Sequence, residues 1–483
     1  MKKTIYDERN IAMMMDLYEL TMANGYFLQE DQKRRVAFDV FYRKNPDNGG
    51  FAVFAGLEQI LQYLEGLHFG KEDVEYLRSI NMFDDRFLDY LLDFKFTGDV
   101  YAFPEGTVMY PGEPLITVVA DLVQAQIIET ELLAQINHQS LVATKACRIV
   151  RAAEGRAVSD FGARRAHNND AAIYGARACY IGGVNSTATV SAGQDFDIPV
   201  SGTMAHSWVM FYRDEMTAFQ KFAEIYPNNC ILLVDTYDVL KSGVPNAIKV
   251  FQTMRDKGIK SKNFGIRLDS GDLAYLSRKA RKMLDEAGFE NAKIVVSNSL
   301  DEYTIRSIID QGGRIDAFGV GERMITARSE PVFGAVYKLC AVEEDGKMQP
   351  RIKISENVEK VTNPGLKKVF RAYKDGHSIA DVLAKYDESP ENWEYLIDPD
   401  KPWKKVSIEE LSFKELPRCM MKEGKRTGEP ETMTTIRERL KEQLKNEVWE
   451  EEQRFENPHW HYLDMTPAYY QEKLRLLEEE SRS

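Results

Sequence analysis

Between about residue 126 and residue 342 the chain alternates two textures, and this alternation constrains its fold more than anything else in its 483 residues. Short apolar runs ending in small or polar residues recur: A-V-S-D-F-G, Y-I-G-G-V-N, I-P-V-S-G-T, I-L-L-V-D, F-G-I-R-L-D, K-I-V-V-S-N, I-D-A-F-G-V-G and A-V-Y-K-L-C. Most are separated by segments of helical periodicity, such as Met216 to Tyr226, Val244 to Lys257, Leu273 to Ala287 and Tyr303 to Gln311. Parallel strands require long crossovers, and helices supply them. Eight such runs close economically as a doubly wound open sheet or as a β/α barrel. Asp160, Asn185, Thr203, Asp235, Asp269, Asn298 and Gly319 all fall at or just after the C-terminal end of a run. That is the face on which barrels carry their active sites, so strand count and polar placement together select the barrel. The stretch from Asn185 to Ile198 is too short and too rich in Gly, Ser and Thr for a full helix, which makes one crossover degenerate and the barrel irregular.

Residues 1–125 mix strand patterns (V-A-F-D-V-F-Y, L-I-T-V-V) with helical spacing from Phe51 to Leu67, an α+β texture. Residues 343–483 loosen into turns and end in a charged tail with helical spacing at Met433 to Glu451 and Pro467 to Glu480. The expected organisation is an N-terminal domain to 125, a catalytic barrel over 126–342 and a C-terminal region from 343. No window approaches a membrane span, and M-K-K-T-I-Y-D-E-R-N lacks the apolar region of a secretory leader, so the expected location is the cytoplasm. Sixty-three basic against 76 acidic residues give a net charge of -13, which opposes broad binding to nucleic acid or anionic membrane. Five scattered cysteines with no C-x-x-C pair are expected to be reduced, mostly buried thiols.

Chemistry concentrates at the strand ends. His206, in S-G-T-M-A-H-S-W, follows small residues that let backbone approach a ligand, and a histidine there serves as nucleophile, general base or structural donor. Asp235 ends an apolar strand, where a carboxylate can fix a histidine's tautomer or cap the next helix. R-L-D-S-G-D brings Arg267, Asp269 and Asp272 to one strand end. Arginine grips phosphate in a fork, and aspartate accepts from a sugar diol or holds Mg²⁺ through water, although Asp272 can be a plain cap. Gly319 and Gly321 stand where a strand turns into a helix, a backbone cradle for phosphate. A dinucleotide fingerprint would need a third glycine in register, which G-V-G-E-R-M lacks. D-F-G-A-R-R-A-H sets Phe161 beside Arg164 and Arg165, an aromatic face with cations able to stack a flat ring and neutralise its carboxylate, or else a salt-bridged helix start. No dense metal-ligand spacing occurs, so no direct protein ligation of a metal is expected, and H-W-H at 459–461 reads as a surface feature.

These motifs, in order along nearly the whole chain from D-L-Y-E-L-T-M-A-N-G-Y (16–26) to K-V-T-N-P-G-L-K-K-V-F-R (360–371), resemble the bacterial nicotinate phosphoribosyltransferases. The resemblance implies an irregular barrel of the type II phosphoribosyltransferase class, flanked by a domain built from both chain ends. It also implies a homodimer with shared active sites. The implied reaction joins nicotinate to 5-phosphoribosyl-1-diphosphate, giving nicotinate mononucleotide and diphosphate for NAD salvage. ATP is a co-substrate coupled through a phosphohistidine, and Mg²⁺ accompanies the diphosphate and ATP. By motif match His206 is the phosphorylated residue and Asp235 its orienting partner. Phe161 stacks on the pyridine, facing Tyr18 from the neighbouring subunit, with Arg164 near the carboxylate. Arg267 and Asp269 hold diphosphate and ribose, Gly319 and Gly321 cradle the 5-phosphate, and Lys338 extends towards phosphate across the dimer. Asn185 stands where nicotinamide-using relatives carry an aspartate, which favours the acid over the amide. Glu322, directly after the glycines, would repel phosphate unless turned away. The alternatives are a nicotinamide- or other pyridine-using enzyme of the same fold, or an inactive barrel serving as a scaffold.

Overall fold

The computed structural model describes residues 9–357 and 360–481. The chain forms two compact units: one is Val142–Pro331, and the other combines the chain up to Leu141 with the chain from Val332 onward.

In Val142–Pro331, six parallel strands form one sheet in the order Ser186–Thr187, Ala157–Asp160, Ala317–Val320, Lys293–Ser297, Phe264–Leu268, Cys230–Leu233. Every residue of Cys230–Leu233 is buried, as expected of a parallel strand covered on both faces. The crossover helices include Glu215–Ile225, Leu273–Glu286 and Glu302–Asp310. Each begins on an aspartate whose side chain accepts a backbone N–H of its first turn: Asp214 from Thr217, Asp272 from Tyr275, Asp301 from Thr304. Asp272 is therefore a cap.

Three of the eight expected strands behave differently. Y-I-G-G-V-N is the end of helix Asn169–Ile181 and the turn after it, and the strand is Ser186–Thr187, just beyond. In I-P-V-S-G-T only Val200 makes a bridge, parallel to Thr187, because Pro199 has no N–H to extend the ladder. Backbone bonds on either side, Thr187 N–H to Pro199 O and Ser201 N–H to Thr187 O, complete that single step. A-V-Y-K-L-C lies outside this unit, in strand Val336–Glu344, which pairs antiparallel with Arg35–Phe41. The half-barrel thus has six laddered strands and one bridged segment.

The second unit interleaves the two ends of the chain. Its seven-stranded sheet runs Lys347–Pro350, Val336–Glu344, Arg35–Phe41, Ile116–Asp121, Asp99–Ala102, Arg418–Lys422, Lys425–Arg426. A six-stranded sheet, Lys405–Ser407, Tyr395–Ile397, Tyr462–Met465, His377–Lys385, Lys367–Lys374, Ser412–Glu415, belongs to the C-terminal part alone. Fully buried Arg371 grips Asp381 through two bonds of 2.8 and 2.7 Å and donates to Val108 O at 2.9 Å, joining the C-terminal part to the N-terminal part. Beside it His461 stacks on Tyr110, with ring centroids 3.7 Å apart, and lies 3.0 Å from Glu452. His461 is thus a core residue, contrary to the surface reading of H-W-H, whereas Trp460 is exposed. Burial alone would lower the His461 pKa, but Asp381 and Glu452 hold it above the ordinary value. Burial would likewise raise the carboxyl of Asp381, and Arg371 overrides it, keeping it far below the usual range. Four of the five cysteines are buried free thiols, and Cys419 is half-buried.

Candidate active site

The C-terminal ends of the parallel strands surround a cavity of about 480 Å³. Phe161, Arg164, Arg165, Ala188, Thr203, His206, Arg267, Asp269, Ser297, Asn298, Ser299, Gly319, Gly321 and Glu322 are among its lining residues.

Asp160 sets the first loop. Its buried carboxylate accepts the Gly162 N–H at 2.8 Å and the Thr187 hydroxyl at 2.7 Å, while Phe161 N–H bonds to Val320 O at 2.8 Å. Burial raises the Asp160 carboxyl, although these bonds favour its ionised form. Phe161 is thereby laid across Gly319, where a Cβ would sit 2.3 Å from its ring. The glycine expected to admit phosphate thus first admits an aromatic ring. Gly321, with a would-be Cβ 3.0 Å from Phe161 O, leaves the loop room to pass. Glu322 lines the cavity, and its carboxylate lies 3.3 Å from Arg328, which offsets its charge against an anion. The turn Ala163–Arg165 presents Arg164 and Arg165, both exposed.

On the opposite wall, Arg267 donates to Thr203 Oγ1 at 2.8 Å, while its Nε is buried without a hydrogen-bond partner among the described residues. Burial lowers its pKa, opposed by Asp269 and Asp235. A guanidinium with an unspent N–H beside a polar cavity is chemically suited to an anion.

His206 opens the short helix His206–Phe211, and the structure changes its expected partner. Nδ1 meets Thr236 Oγ1 at 3.1 Å, and Nε2 lies 3.8 Å from Asp269 Oδ2. Asp235, expected to orient the histidine, instead accepts Asp269 N–H at 2.8 Å and the Ser270 hydroxyl at 2.7 Å. It is buried and shapes the R-L-D-S-G-D turn from below, and Asp269 takes the place beside the imidazole. Ser297 donates to the other Asp269 oxygen.

Asn185 is also corrected. Its Oδ1 accepts Val158 N–H at 2.9 Å and its own N–H bonds to Val158 O, so it is spent on the strand below the cavity. The lining residue of this segment is Ala188, three positions on. Asn298 was placed on the active-site face from sequence but given no role, and Ser297 and Ser299 were not singled out. Their only signal was a polar triplet after K-I-V-V, and Asn298 and Ser299 both adopt positive φ (85° and 53°), bending that loop back over the strand end.

Tyr18 and Lys338 belong to the other unit. Tyr18 lies in helix Leu17–Leu28 and Lys338 in strand Val336–Glu344, and both face Glu129. Among the described residues no group of three or more His, Cys, Asp or Glu could hold a metal ion, and no helix is long and apolar enough to cross a membrane.

Three family models match the chain: the nicotinate phosphoribosyltransferase N-terminal domain over 13–137, the nicotinate phosphoribosyltransferase family over 156–377 and the corresponding C-terminal domain over 366–473. The nicotinate phosphoribosyltransferase of Bacillus subtilis is 43% identical over 479 residues, covering 98% of this chain and 96% of the relative. One from Mycobacterium tuberculosis is 42% identical over 378 residues, covering 78% and 79%. The crystal structure of human nicotinic acid phosphoribosyltransferase matches with a TM-score of 0.84 at 27% identity, covering 96% of this chain and 100% of that one.

Proposed function

The chain belongs to the nicotinate phosphoribosyltransferase family, and from this premise we propose that it joins nicotinate to 5-phosphoribosyl-1-diphosphate in the cytoplasm, coupled to ATP hydrolysis through phosphorylated His206. The observation that carries the reading is the convergence, in one cavity, of an aromatic face, arginines, a histidine and a carboxylate: Phe161, Arg164, Arg165, Arg267, His206 and Asp269.

The pyridine nitrogen attacks C1 of the ribose, the C1–O bond to diphosphate breaks, and its electrons leave with diphosphate. Because positive charge builds at C1, the site's task is to hold the ring in line and stabilise the departing oxygens. Phe161 provides the ring platform and Arg164 or Arg165 the cation for its carboxylate. Arg267, with its unspent Nε–H, grips an anionic group of the activated ribose, and Asp269 accepts from the ribose. Gly321 and its neighbouring N–H groups remain the candidate 5-phosphate cradle. Mg²⁺, when bound with the diphosphate, would supply further charge neutralisation, and the Asp269 carboxylate would hold it through water. In the coupled step the ATP γ-phosphoryl passes to a His206 ring nitrogen, ADP leaves, and water later cleaves the P–N bond. The lost proton and gained charge change how the Asp269 and Thr203 loops hold anions.

Preference for the acid rests on Arg164 and Arg165 and on Ala188, which offers an amide NH₂ no carboxylate. The homodimer with shared sites is supported by Met14 (51% exposed), Leu17 (49%), Tyr18 (44%) and Met22 (39%), apolar groups open to solvent in and just before helix Leu17–Leu28. Lys338 then reaches towards phosphate from the partner. The test is to incubate the enzyme with labelled nicotinate or nicotinamide and the activated ribose, with and without ATP. Nicotinate mononucleotide formed faster with ATP supports the reading. Nicotinamide mononucleotide as the main product moves it to the amide-using enzyme, and no product with either base leaves an inactive scaffold.

A further inference from the structure

Glu129 is the first residue of helix Glu129–Ala152, where a carboxylate is favoured by the helix dipole. It is buried, and two groups distant in sequence face it: the Tyr18 hydroxyl, and the Lys338 ammonium, which lies 3.8 Å away and donates to Tyr337 O at 2.8 Å. The arrangement of Tyr18 inverts the usual one. A surface tyrosine ordinarily sinks its ring and wets its hydroxyl, whereas here the hydroxyl faces a buried carboxylate and the residue remains 44% exposed. Burial and the Glu129 charge both push the Tyr18 pKa upward, so the hydroxyl stays a donor. The docking of the Tyr18 helix does not depend on this contact. Thr130 donates its N–H (3.2 Å) and its hydroxyl to Glu19, and Asp16 N–H donates to Thr130 Oγ1 at 3.2 Å. Glu129 is therefore free to act on side-chain direction alone.

We propose that Glu129 is a positioning residue for the transfer reaction, aiming Tyr18 and Lys338 together so that one subunit presents an aromatic ring to the base and a cation to phosphate in its partner's cavity. The inference rests on the phosphoribosyltransferase reading and on the shared site proposed with it.

Glu129→Ala should raise the KM for nicotinate and for the activated ribose about three- to tenfold, the range for losing a partly exposed bond to a charged group, while kcat changes less than about twofold. Glu129→Gln, which still accepts from the Tyr18 hydroxyl but carries no charge for Lys338, should restore the nicotinate KM and leave the ribose KM raised. In mixed dimers with excess His206→Ala subunits, nearly every Glu129→Ala chain contributes its intact cavity to a site completed by an intact Glu129, and both KM values should return to wild type. KM values that stay raised in the mixed dimers, or a Glu129→Ala enzyme with unchanged KM, overturn the inference. Tyr18→Ala separates the two failures. If it raises the nicotinate KM while Glu129→Ala does not, only the inference is lost. If Tyr18→Ala has no effect, the shared-site reading fails and the inference with it.

Discussion

The cavity in Val142–Pro331 and the ionic cluster around Arg371 use similar residue types to opposite ends. At the cavity, Arg164 and Arg165 are exposed, Arg267 keeps an unspent Nε–H, and His206 stands 3.8 Å from its nearest carboxylate. In the cluster, Arg371, Asp381 and His461 are fully buried, and Arg371 and Asp381 share two hydrogen bonds. Charges with room and unspent donors are available to a ligand, whereas charges closed on one another can only hold segments of chain together. Breaking one should cost stability and breaking the other should cost activity.

The largest effect is expected in the cluster. Asp381→Ala strands the Arg371 guanidinium in the core, so unfolding by denaturant should show a loss of about 3–5 kcal/mol, and the double Asp381→Leu, Arg371→Met should recover part of it. If Asp381→Ala proved as stable as wild type, the contrast would collapse. At the cavity, His206→Ala should abolish ATP hydrolysis, leave slow ATP-independent transfer and barely shift the melting temperature. Retained ATPase activity would remove His206 from the coupled step. Gly319→Ala is predicted to fall between the two classes: the new Cβ collides with the Phe161 ring, so nicotinate KM should rise by about tenfold with a moderate loss of stability of about 1–3 kcal/mol. An unchanged KM would show that the ring's seat is immaterial to substrate.

The smallest effect concerns pH. Burial lifts the Glu19 carboxyl to about 7, against hydrogen bonds from Thr130 and Asp16. The folded chain therefore keeps a proton that the unfolded chain releases near the ordinary value of 4.5, and stability falls as pH rises from there through about 7. Melting temperature followed from pH 5 to 8 should decline less steeply in Glu19→Gln than in wild type. Parallel curves would place the titration elsewhere.

Sequence pattern reached the alternation of strand and helix, the side of the sheet that carries chemistry and most cavity residues, because strand ends announce themselves by a change from apolar to polar. It failed where the answer depended on pairing over distance. A-V-Y-K-L-C reads like any covered strand, and nothing local in it says that its neighbour is Arg35–Phe41. Asp235 and Asp269 end adjacent strands, and which of them faces His206 is decided by a turn in which Asp235 is occupied with Asp269 N–H. Asn185 missed the cavity by three positions, and His461 was hidden because burial next to Tyr110 has no signature in H-W-H.

The interleaved seven-stranded sheet also bears on how the protein is made. Arg35–Phe41 has Ile116–Asp121 on one side, but its other edge is filled by Val336–Glu344. At about 5–20 residues per second, a ribosome leaves that edge open for roughly 15 to 60 seconds after the strand emerges. Everything needed for the six parallel strands is synthesised within that interval, so the Val142–Pro331 unit can be complete while the N-terminal strands still wait for their partner. An apolar strand with an unpaired edge is a template for association with other nascent chains. The order of synthesis therefore leaves one edge of the first-made strands open until Val336–Glu344 arrives, and the other, at Asp99–Ala102, until Arg418–Lys422 follows.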